Sequence, residues 1–313
     1  MIKKLRLFIL CFTALTVTAA AEGDTHAALP DGVRRVVFLG DSITSNGGYI
    51  IYIDDYFATR VPGAADVEFL NLGVASETLS GLSEANHAGG AFPRPDLAER
   101  LARVLDATKP DLVFLPYGVN DGIYQPLDAD RFQKFKDGMT RTHEECEKRG
   151  IRVIHLTPAY DAGRNPAYGA VMAEYSKWLL GQRQRGWQVI DVFAAMNAAL
   201  ESARKDNPDF KFANDGVHPN EAGHWVMARA VLEGLGAGDV AQFKTGEEMA
   251  RAAPNGEKIL QLVRQRQGNL HAAWLRETRH LRPGEPGYKF ETQDAEKKGR
   301  EAGKQIEKLL QEK

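Results

Sequence analysis

The segment Val36-Val37-Phe38-Leu39-Gly40-Asp41-Ser42-Ile43-Thr44 runs from an apolar stretch directly into Gly-Asp-Ser and then into a polar loop. Its first residues are β-branched or aromatic, which is typical of a buried strand. Similar segments follow, separated by stretches in which apolar residues recur with helical spacing. Together the predicted strands are residues 35–39, 67–72, 112–117, 153–157 and 187–192. This alternation predicts an α/β fold, in which helices cover both faces of a parallel sheet.

Ser42 lies three positions after the end of the first predicted strand, residues 35–39. In open parallel sheets, functional sites form in the crevice at the carboxyl ends of the strands, near the point where the strand order reverses. A serine hydroxyl is a weak nucleophile that needs an adjacent base, and backbone N–H groups in the turn before a helix can stabilise a developing oxyanion. Ser42 is therefore a candidate nucleophile, although the position also suits an ordinary helix cap.

A candidate base lies in a second motif, Asp215-Gly216-Val217-His218-Pro219-Asn220, which precedes a segment with helical periodicity. The glycine permits a tight bend and the proline fits a first helical turn. One short loop can therefore present both the carboxylate and the imidazole. His218 could accept the Ser42 proton while Asp215 holds the ring and stabilises its protonated form. The alternative is that Asp215 is a turn residue and His218 a partly exposed histidine.

Two further residues are candidate hydrogen-bond donors to an oxyanion. Gly73 follows the second predicted strand and brings a backbone N–H, and Asn120 follows the third and brings a side-chain amide. With the N–H of Ser42 they form a predicted set of three donors. Each donor of this kind stabilises a transition state by about 3–4 kcal/mol. Glycine and asparagine are also common turn residues, which is the alternative interpretation.

Taken together, these segments resemble the SGNH (GDSL-like) hydrolases, a large family of esterases and lipases. The residues that carry the resemblance are Ser42, Gly73, Asn120 and His218, with Asp215 three positions before the histidine. The resemblance implies a Ser42, Asp215 and His218 triad and an oxyanion hole formed by Ser42, Gly73 and Asn120. It also implies a flavodoxin-like three-layer sandwich with strand order 2-1-3-4-5, whereas periodicity alone supports only the parallel α/β class.

The predicted domain organisation follows from the extent of this resemblance. It covers residues 33–235, which we interpret as the hydrolase domain. Residues 1–21 have a basic start, an apolar run too short to span a bilayer comfortably, and small residues suited to cleavage, so they are predicted to be a signal peptide. Residues 22–32 are a predicted linker, and residues 236–313 a C-terminal helical extension. These features predict a secreted or periplasmic protein without an integral membrane segment after cleavage.

Charge and composition argue against several classes of partner and cofactor. The formal net charge is −2, and removing the three basic residues of the leader leaves −5, so nucleic acid is not expected as a partner. No histidine and cysteine spacing indicates a metal cluster, and no glycine-rich nucleotide loop follows a strand. We therefore predict neither a metal nor a cofactor. Without the leader, Cys146 is the only cysteine, which excludes an internal disulfide. The oligomeric state is left open.

Residues 77–95 form a long predicted loop at the same edge of the sheet. Long loops in this position usually shape access to the site. Candidate substrate contacts are Glu77, His87 and Arg94 in this loop and Tyr124 after the third strand.

The predicted function is hydrolysis of a carboxylic ester through an acyl-enzyme. The expected substrate carries a small acyl group, such as acetyl, on a carbohydrate, because export and polar loops suit a hydrated polymer. A lipase, lysophospholipase or arylesterase is the alternative enzyme. An alternative of another class is a non-catalytic glycan-binding protein on the same fold.

Overall fold

A five-stranded parallel sheet lies at the centre of the protein in a computed structural model that describes residues 26–160, 165–283 and 291–312. The strands are β1 (Arg35–Phe38), β2 (Glu68–Asn71), β3 (Leu112–Leu115), β4 (Arg152–Leu156) and β5 (Gln188–Ile190). Their order is β2-β1-β3-β4-β5, and every neighbouring pair is parallel. The predicted α/β class and strand order are confirmed.

Helices flank this sheet on both sides and complete the three layers. They are α1 (Ser42–Asn46), α2 (Gly48–Arg60), α3 (Leu97–Thr108), α4 (Ala129–Lys148), α5 (Pro166–Gly181), α6 (Val192–Asp206), α7 (Glu221–Gly234), α8 (Gly246–Arg251), α9 (Gly256–Thr278) and α10 (Thr292–Gln311). Short 3₁₀ turns occur at His87–Gly90, Gln182–Arg185 and Asp239–Gln242. Many helices begin at an Asp or Asn side chain that accepts a backbone N–H, as Asp96 does for α3 and Asn220 for α7. Such caps satisfy N–H groups that a helix leaves unpaired.

The core is built on the apolar central strands. All four residues of β3 are buried, and Val36, Val37 and Phe38 of β1 have no exposed surface. The Phe38 ring stacks on Phe114 of β3 with a centroid separation of 4.6 Å. Near-continuous apolar runs of this kind are expected where both faces of a sheet are covered. The rigid centre fixes the strand ends from which the candidate site residues project.

The C-terminal region packs on the edge strand β2. The Gln267 side chain of α9 donates to the Phe69 carbonyl at 2.9 Å, and His271 Nδ1 donates to the Asn71 carbonyl at 2.8 Å. An uncovered edge strand presents unpaired backbone groups and promotes aggregation. Side chains of α9 therefore cover this edge and hydrogen-bond to two of its backbone carbonyl groups. The division of the chain at residue 235 stays a prediction.

The predicted leader, residues 1–21, lies outside the described residues. Among residues 26–160, 165–283 and 291–312, no helix combines the length and apolar character needed to cross a membrane.

Candidate active site

Ser42 and His218 meet at the carboxyl end of β1. Ser42 is the first residue of α1, and the preceding Asp41 caps this helix by accepting the Ile43 N–H at 2.9 Å. The His218 Nε2 atom lies 2.7 Å from Ser42 Oγ, and Nδ1 lies 2.5 Å from Asp215 Oδ2. These are hydrogen-bond distances. The two predicted motifs, 176 positions apart for the serine and histidine, are thus brought into one connected set of side chains.

The Asp215 carboxylate also organises its own loop. Its Oδ1 atom accepts the backbone N–H groups of Val217 and His218, each at 2.9 Å. Partial burial raises the pKa of Asp215, but the hydrogen bonds from the His218 ring and from these two amides outweigh it. The net effect lowers the pKa below its ordinary value. The carboxylate is therefore ionised over the whole range in which an imidazole exchanges its proton.

The three side chains are open to solvent rather than enclosed. His218 and Asp215 are 45% and 56% exposed, and Ser42 is half-buried. Substrate can approach the hydroxyl directly. Since one oxygen of the carboxylate holds the Nδ1 side of the ring, Nε2 is left to accept a proton from Ser42 Oγ. The arrangement can activate the hydroxyl for attack on an acyl carbon.

Asn120 lies in the loop after β3, where its side chain is nearly fully buried. Its Nδ2 atom donates to the Glu77 carbonyl at 3.3 Å, and its Oδ1 atom accepts from the Tyr124 hydroxyl at 3.3 Å. The carboxamide is held at both ends, and one hydrogen of the Nδ2 group remains for a ligand. Tyr124, a predicted substrate contact, is placed beside this amide, and its role toward substrate stays a prediction.

The prediction that Gly73 supplies an oxyanion donor is wrong. Its backbone N–H donates to the side-chain Oδ1 of Asn71 at 3.0 Å, so it is already engaged. The reason for a glycine here is close packing, because a Cβ atom at this position would lie 2.3 Å from the Ser45 nitrogen. Gly73 thus lets the end of β2 pass close to α1. Gly73 therefore contributes to the packing of α1, the helix that begins with Ser42, and not to the oxyanion site.

Ser76, three residues further, was missed in the sequence. It has a left-handed backbone, with φ of +70°, in a turn that the Glu77 N–H closes onto the Val74 carbonyl at 3.1 Å. Glycine is the usual residue at the third position of such a turn, and serine there carries backbone strain. The only sequence signal for this position is its proximity to the strand end. The Asn120 amide contacts the same turn at the Glu77 carbonyl.

The prediction that Glu77 contacts substrate is also wrong, because its carboxylate is fully buried. The two carboxylate oxygens accept from Arg100 Nε at 2.6 Å and Nη2 at 2.7 Å, and the Tyr117 hydroxyl donates to Oε2 at 2.5 Å. The side chains of Glu77 and Arg100 are 0% and 1% exposed. Arg100 lies on α3, so this ion pair ties that helix to the loop behind the candidate site.

We expect Glu77→Gln to lower the free energy of unfolding by about 3 kcal/mol, because the Arg100 guanidinium would remain buried without its counter-charge. Urea denaturation followed by circular dichroism measures this loss. The matched control is Glu99→Gln, which breaks the exposed pair with Arg103 on the same helix and should cost less than about 1 kcal/mol. Equal losses in the two variants would contradict the assignment of Glu77 as a buried structural partner.

His87 and Arg94 converge on Glu84 in the same long loop. Arg94 makes two 2.7 Å bonds to the Glu84 carboxylate, and its guanidinium carbon lies 5.6 Å from the centre of the Tyr124 ring. His87 Nδ1 lies 3.4 Å from the same carboxylate. Burial raises the pKa of Glu84, but the Arg94 hydrogen bonds outweigh it and lower the pKa to about 2. This cluster stiffens the loop, and direct contact of either cation with substrate stays a prediction.

A second set of buried acids lies behind the nucleophile. Asp121 Oδ1 accepts the N–H groups of Leu79 and Ser80, each at 2.8 Å, and so fastens the long loop to the end of β3. Burial is the main cause that raises the pKa of Asp41 to about 7 and that of Asp121 to about 6. Neither carboxyl reaches the position that Asp215 occupies beside the His218 ring.

A nucleophilic hydroxyl bonded to an imidazole that is itself bonded to a carboxylate, at the carboxyl edge of a parallel sheet, defines a serine hydrolase. The family comparison agrees, since residues 38–226 match the model of the GDSL-like Lipase/Acylhydrolase family. The chain belongs to this family, and it is a carboxylic ester hydrolase. The match ends within α7, so α8, α9 and α10 lie beyond it.

Similar proteins include an acetylxylan esterase from Geobacillus stearothermophilus, which is 25% identical over 227 residues, or 65% of this chain and 94% of the relative. A solved structure of a catalytic mutant of an acetylxylan esterase from the same organism gives a TM-score of 0.52 at 23% identity, covering 66% of this chain and 96% of that one. An α/β hydrolase from the metagenome of Lake Arreo, Spain, gives 0.53 at 25% identity, covering 66% and 97%. These likenesses support the fold and the extent of the common domain.

Proposed function

We propose that this protein is an esterase that removes small acyl groups, acetyl in the first place, from a carbohydrate. The observation that carries the proposal is the continuous contact from Ser42 Oγ through the His218 ring to the Asp215 carboxylate. In the proposed reaction, Oγ attacks the ester carbonyl carbon while Nε2 takes the hydroxyl proton. The tetrahedral intermediate then collapses, the bond to the leaving oxygen breaks, and His218 returns the proton to that alcohol.

Deacylation repeats these steps with water. A water molecule loses a proton to His218 Nε2 and attacks the acyl carbon, and the bond to Ser42 Oγ breaks as the proton returns to the serine. The products are a carboxylic acid and the free enzyme. Throughout, Asp215 keeps the ring oriented and stabilises its positive charge in each transition state.

The proposed oxyanion donors are the N–H of Ser42, the Nδ2 group of Asn120 and the N–H of Ser76. The Ser76 amide replaces the Gly73 amide in this proposal, because the Gly73 donor is engaged by Asn71. The support for Ser76 is its left-handed turn and the contact of the Asn120 amide with that turn. Strained backbone of this kind concentrates at functional sites.

The carbohydrate assignment is supported by two observations. The match with the acetylxylan esterase covers 94% of the length of that relative. The exposed triad also suits an ester that is carried on a large, hydrated substrate. A bulky alcohol can stay in solvent while only its acyl group enters the site. The predicted leader fits this role, since it would deliver the enzyme to an extracellular or periplasmic polymer.

One observation favours a second candidate, an arylesterase or lipase. A pocket of about 470 Å³ begins at Tyr124 and has a mainly apolar wall that includes Pro126, Leu127 and Val171. Leu127 is 49% exposed. Such a surface could accept an aromatic or longer acyl chain.

A panel of esters tests the two candidates against each other. We expect kcat/KM to fall by about tenfold or more from p-nitrophenyl acetate to the octanoate, and we expect acetate release from acetylated xylan oligosaccharides. Acetate is quantified enzymatically and p-nitrophenol by absorbance. A preference for octanoate without release of acetate from the oligosaccharides would reject the carbohydrate proposal and favour the apolar pocket.

A further inference from the structure

A second pocket, of about 420 Å³, is bounded by the end of α1, by α2, by the start of α7 and by α9. Two of its lining residues are close in sequence to the two partners of the Ser42–His218 contact. Asn46, which lines it, ends the short helix that Ser42 begins, about 6 Å along the helix axis. Pro219, which also lines it, directly follows His218. A ligand in this pocket therefore lies one short helix away from the reacting hydroxyl.

The wall from α9 contributes Arg264, whose position is fixed by two carboxylates. Its Nη2 atom lies 3.0 Å from Glu247 Oε1 and 3.5 Å from Glu221 Oε1, and the Tyr52 hydroxyl contacts both carboxylates, with Glu247 the nearer. Arg264 remains 46% exposed and Glu221 66% exposed. The pocket thus offers charged donors and acceptors that are already oriented. Because α9 lies beyond the family match, this wall is an addition to the common domain.

A buried imidazole on the pocket wall has one ring nitrogen without a hydrogen-bond partner among the described residues. His224 Nδ1 accepts the Tyr49 N–H at 3.3 Å, so the neutral ring carries its hydrogen on Nε2. Among the described residues, no group bonds to Nε2, although the side chain is buried. Burial lowers the pKa of His224 to about 4, which keeps the ring neutral. An unsatisfied buried donor is costly, but the Nε2 atom itself has almost no accessible surface, so His224 contributes to the pocket wall as a neutral ring.

We propose that this pocket is a subsite for a neutral sugar unit of the substrate chain, next to the unit that carries the acyl group. This inference rests on the proposed carbohydrate esterase function. The mixture of Asn46, Arg264 and Glu221 side chains suits vicinal hydroxyls, which both donate and accept hydrogen bonds. The two charged residues of the pocket lining, Arg264 and Glu221, have opposite signs, so the lining carries no excess positive charge that would attract a uronic acid. The C-terminal extension thereby gives the enzyme its preference for a polymer.

The test compares a chain substrate with a single small ester. We expect Arg264→Ala to lower the ratio of kcat/KM for acetylated xylotetraose to kcat/KM for p-nitrophenyl acetate by about tenfold, because a charge-assisted hydrogen bond to the sugar is lost. The control is Arg229→Ala on α7, which removes another partly exposed, carboxylate-paired arginine outside the pocket. Asn46→Ala is the second pocket variant and should lower the same ratio. Thermal denaturation of each protein checks that the fold is kept.

The outcomes separate the subsite from the esterase function. A lower ratio in both pocket variants, but not in Arg229→Ala, supports the subsite. An unchanged ratio in folded Arg264→Ala and Asn46→Ala overturns it while the proposed function stands. Hydrolysis of p-nitrophenyl acetate by the unaltered enzyme, with no acetate released from any acetylated oligosaccharide, overturns the substrate proposal and the subsite with it.

Discussion

Replacing Ser42 with alanine is expected to lower kcat for p-nitrophenyl acetate by about 10⁵-fold or more, since loss of the nucleophile in a serine hydrolase triad costs on that order. The alanine has no Oγ to bond to His218 Nε2, so no acyl-enzyme can form. The remaining donors to the oxyanion can still bind the ester, and the residual rate comes from them. Steady-state hydrolysis, with intact-mass measurement of the acetylated intermediate, follows both effects.

The matched control is Ser45→Ala, which removes a hydroxyl from the same short helix, α1. It should keep activity within about tenfold, because its side chain is one turn from the reacting group. A fluorophosphonate probe adds an independent measurement. The serine oxygen displaces fluoride from phosphorus and its proton passes to His218, so labelled protein gains the phosphonyl mass. Activity or labelling retained in Ser42→Ala would reject Ser42 as nucleophile, and an unlabelled, inactive parent enzyme would favour a glycan-binding protein.

The architecture could be predicted because the composition of the strands and the apolar periodicity of the segments between them indicate the same fold. The apolar runs at β1 and β3 are buried on both faces, which is the environment that their composition requires. The same agreement holds for the two motifs with the greatest chemical content. A strand end and a loop that precedes a helix place Ser42 and His218 at one edge of the sheet, and the structure joins them by a hydrogen bond.

The predictions that failed depend on the direction of single groups, which composition and spacing do not determine. Gly73 lies at the expected strand end, but the side chain of Asn71 folds back and occupies its N–H. Glu77 lies in the expected loop, but its side chain turns inward to Arg100, a residue 23 positions away. Ser76 was missed since serine does not signal a left-handed turn as glycine does.

The role of α9 was also beyond sequence reasoning, because it is a purely tertiary effect. Its amphipathic pattern predicts only that one face is buried. The structure shows that this face pairs with carbonyl groups of β2 and that Arg264 of the same helix lines a pocket with residues of α2 and α7. Contacts between a helix and a strand about 200 positions away in the sequence leave no periodic signal in either segment.

Replacing Asp215 with asparagine is expected to lower kcat by about 10³-fold, less than the loss of Ser42 and somewhat less than the roughly 10⁴-fold effect in a protease triad whose aspartate is buried. The carboxylate has two tasks, because its Oδ1 atom holds the loop and its Oδ2 atom orients the imidazole. Its Oδ1 atom accepts the N–H groups of Val217 and His218, and the asparagine oxygen can retain these bonds. The new amide nitrogen then faces His218 Nδ1.

A donor at this position changes the tautomer of the ring. His218 Nδ1 must accept from the amide, so its proton moves to Nε2, and Nε2 can no longer accept the proton of Ser42. Because Asp215 is 56% exposed, water can replace part of its interaction and some correctly protonated ring remains. KM should change by less than about fivefold, since the loop keeps its turn. The control is Asp209→Asn in the same exposed loop, and kcat within tenfold of that control would exclude Asp215 as the partner of the imidazole in catalysis.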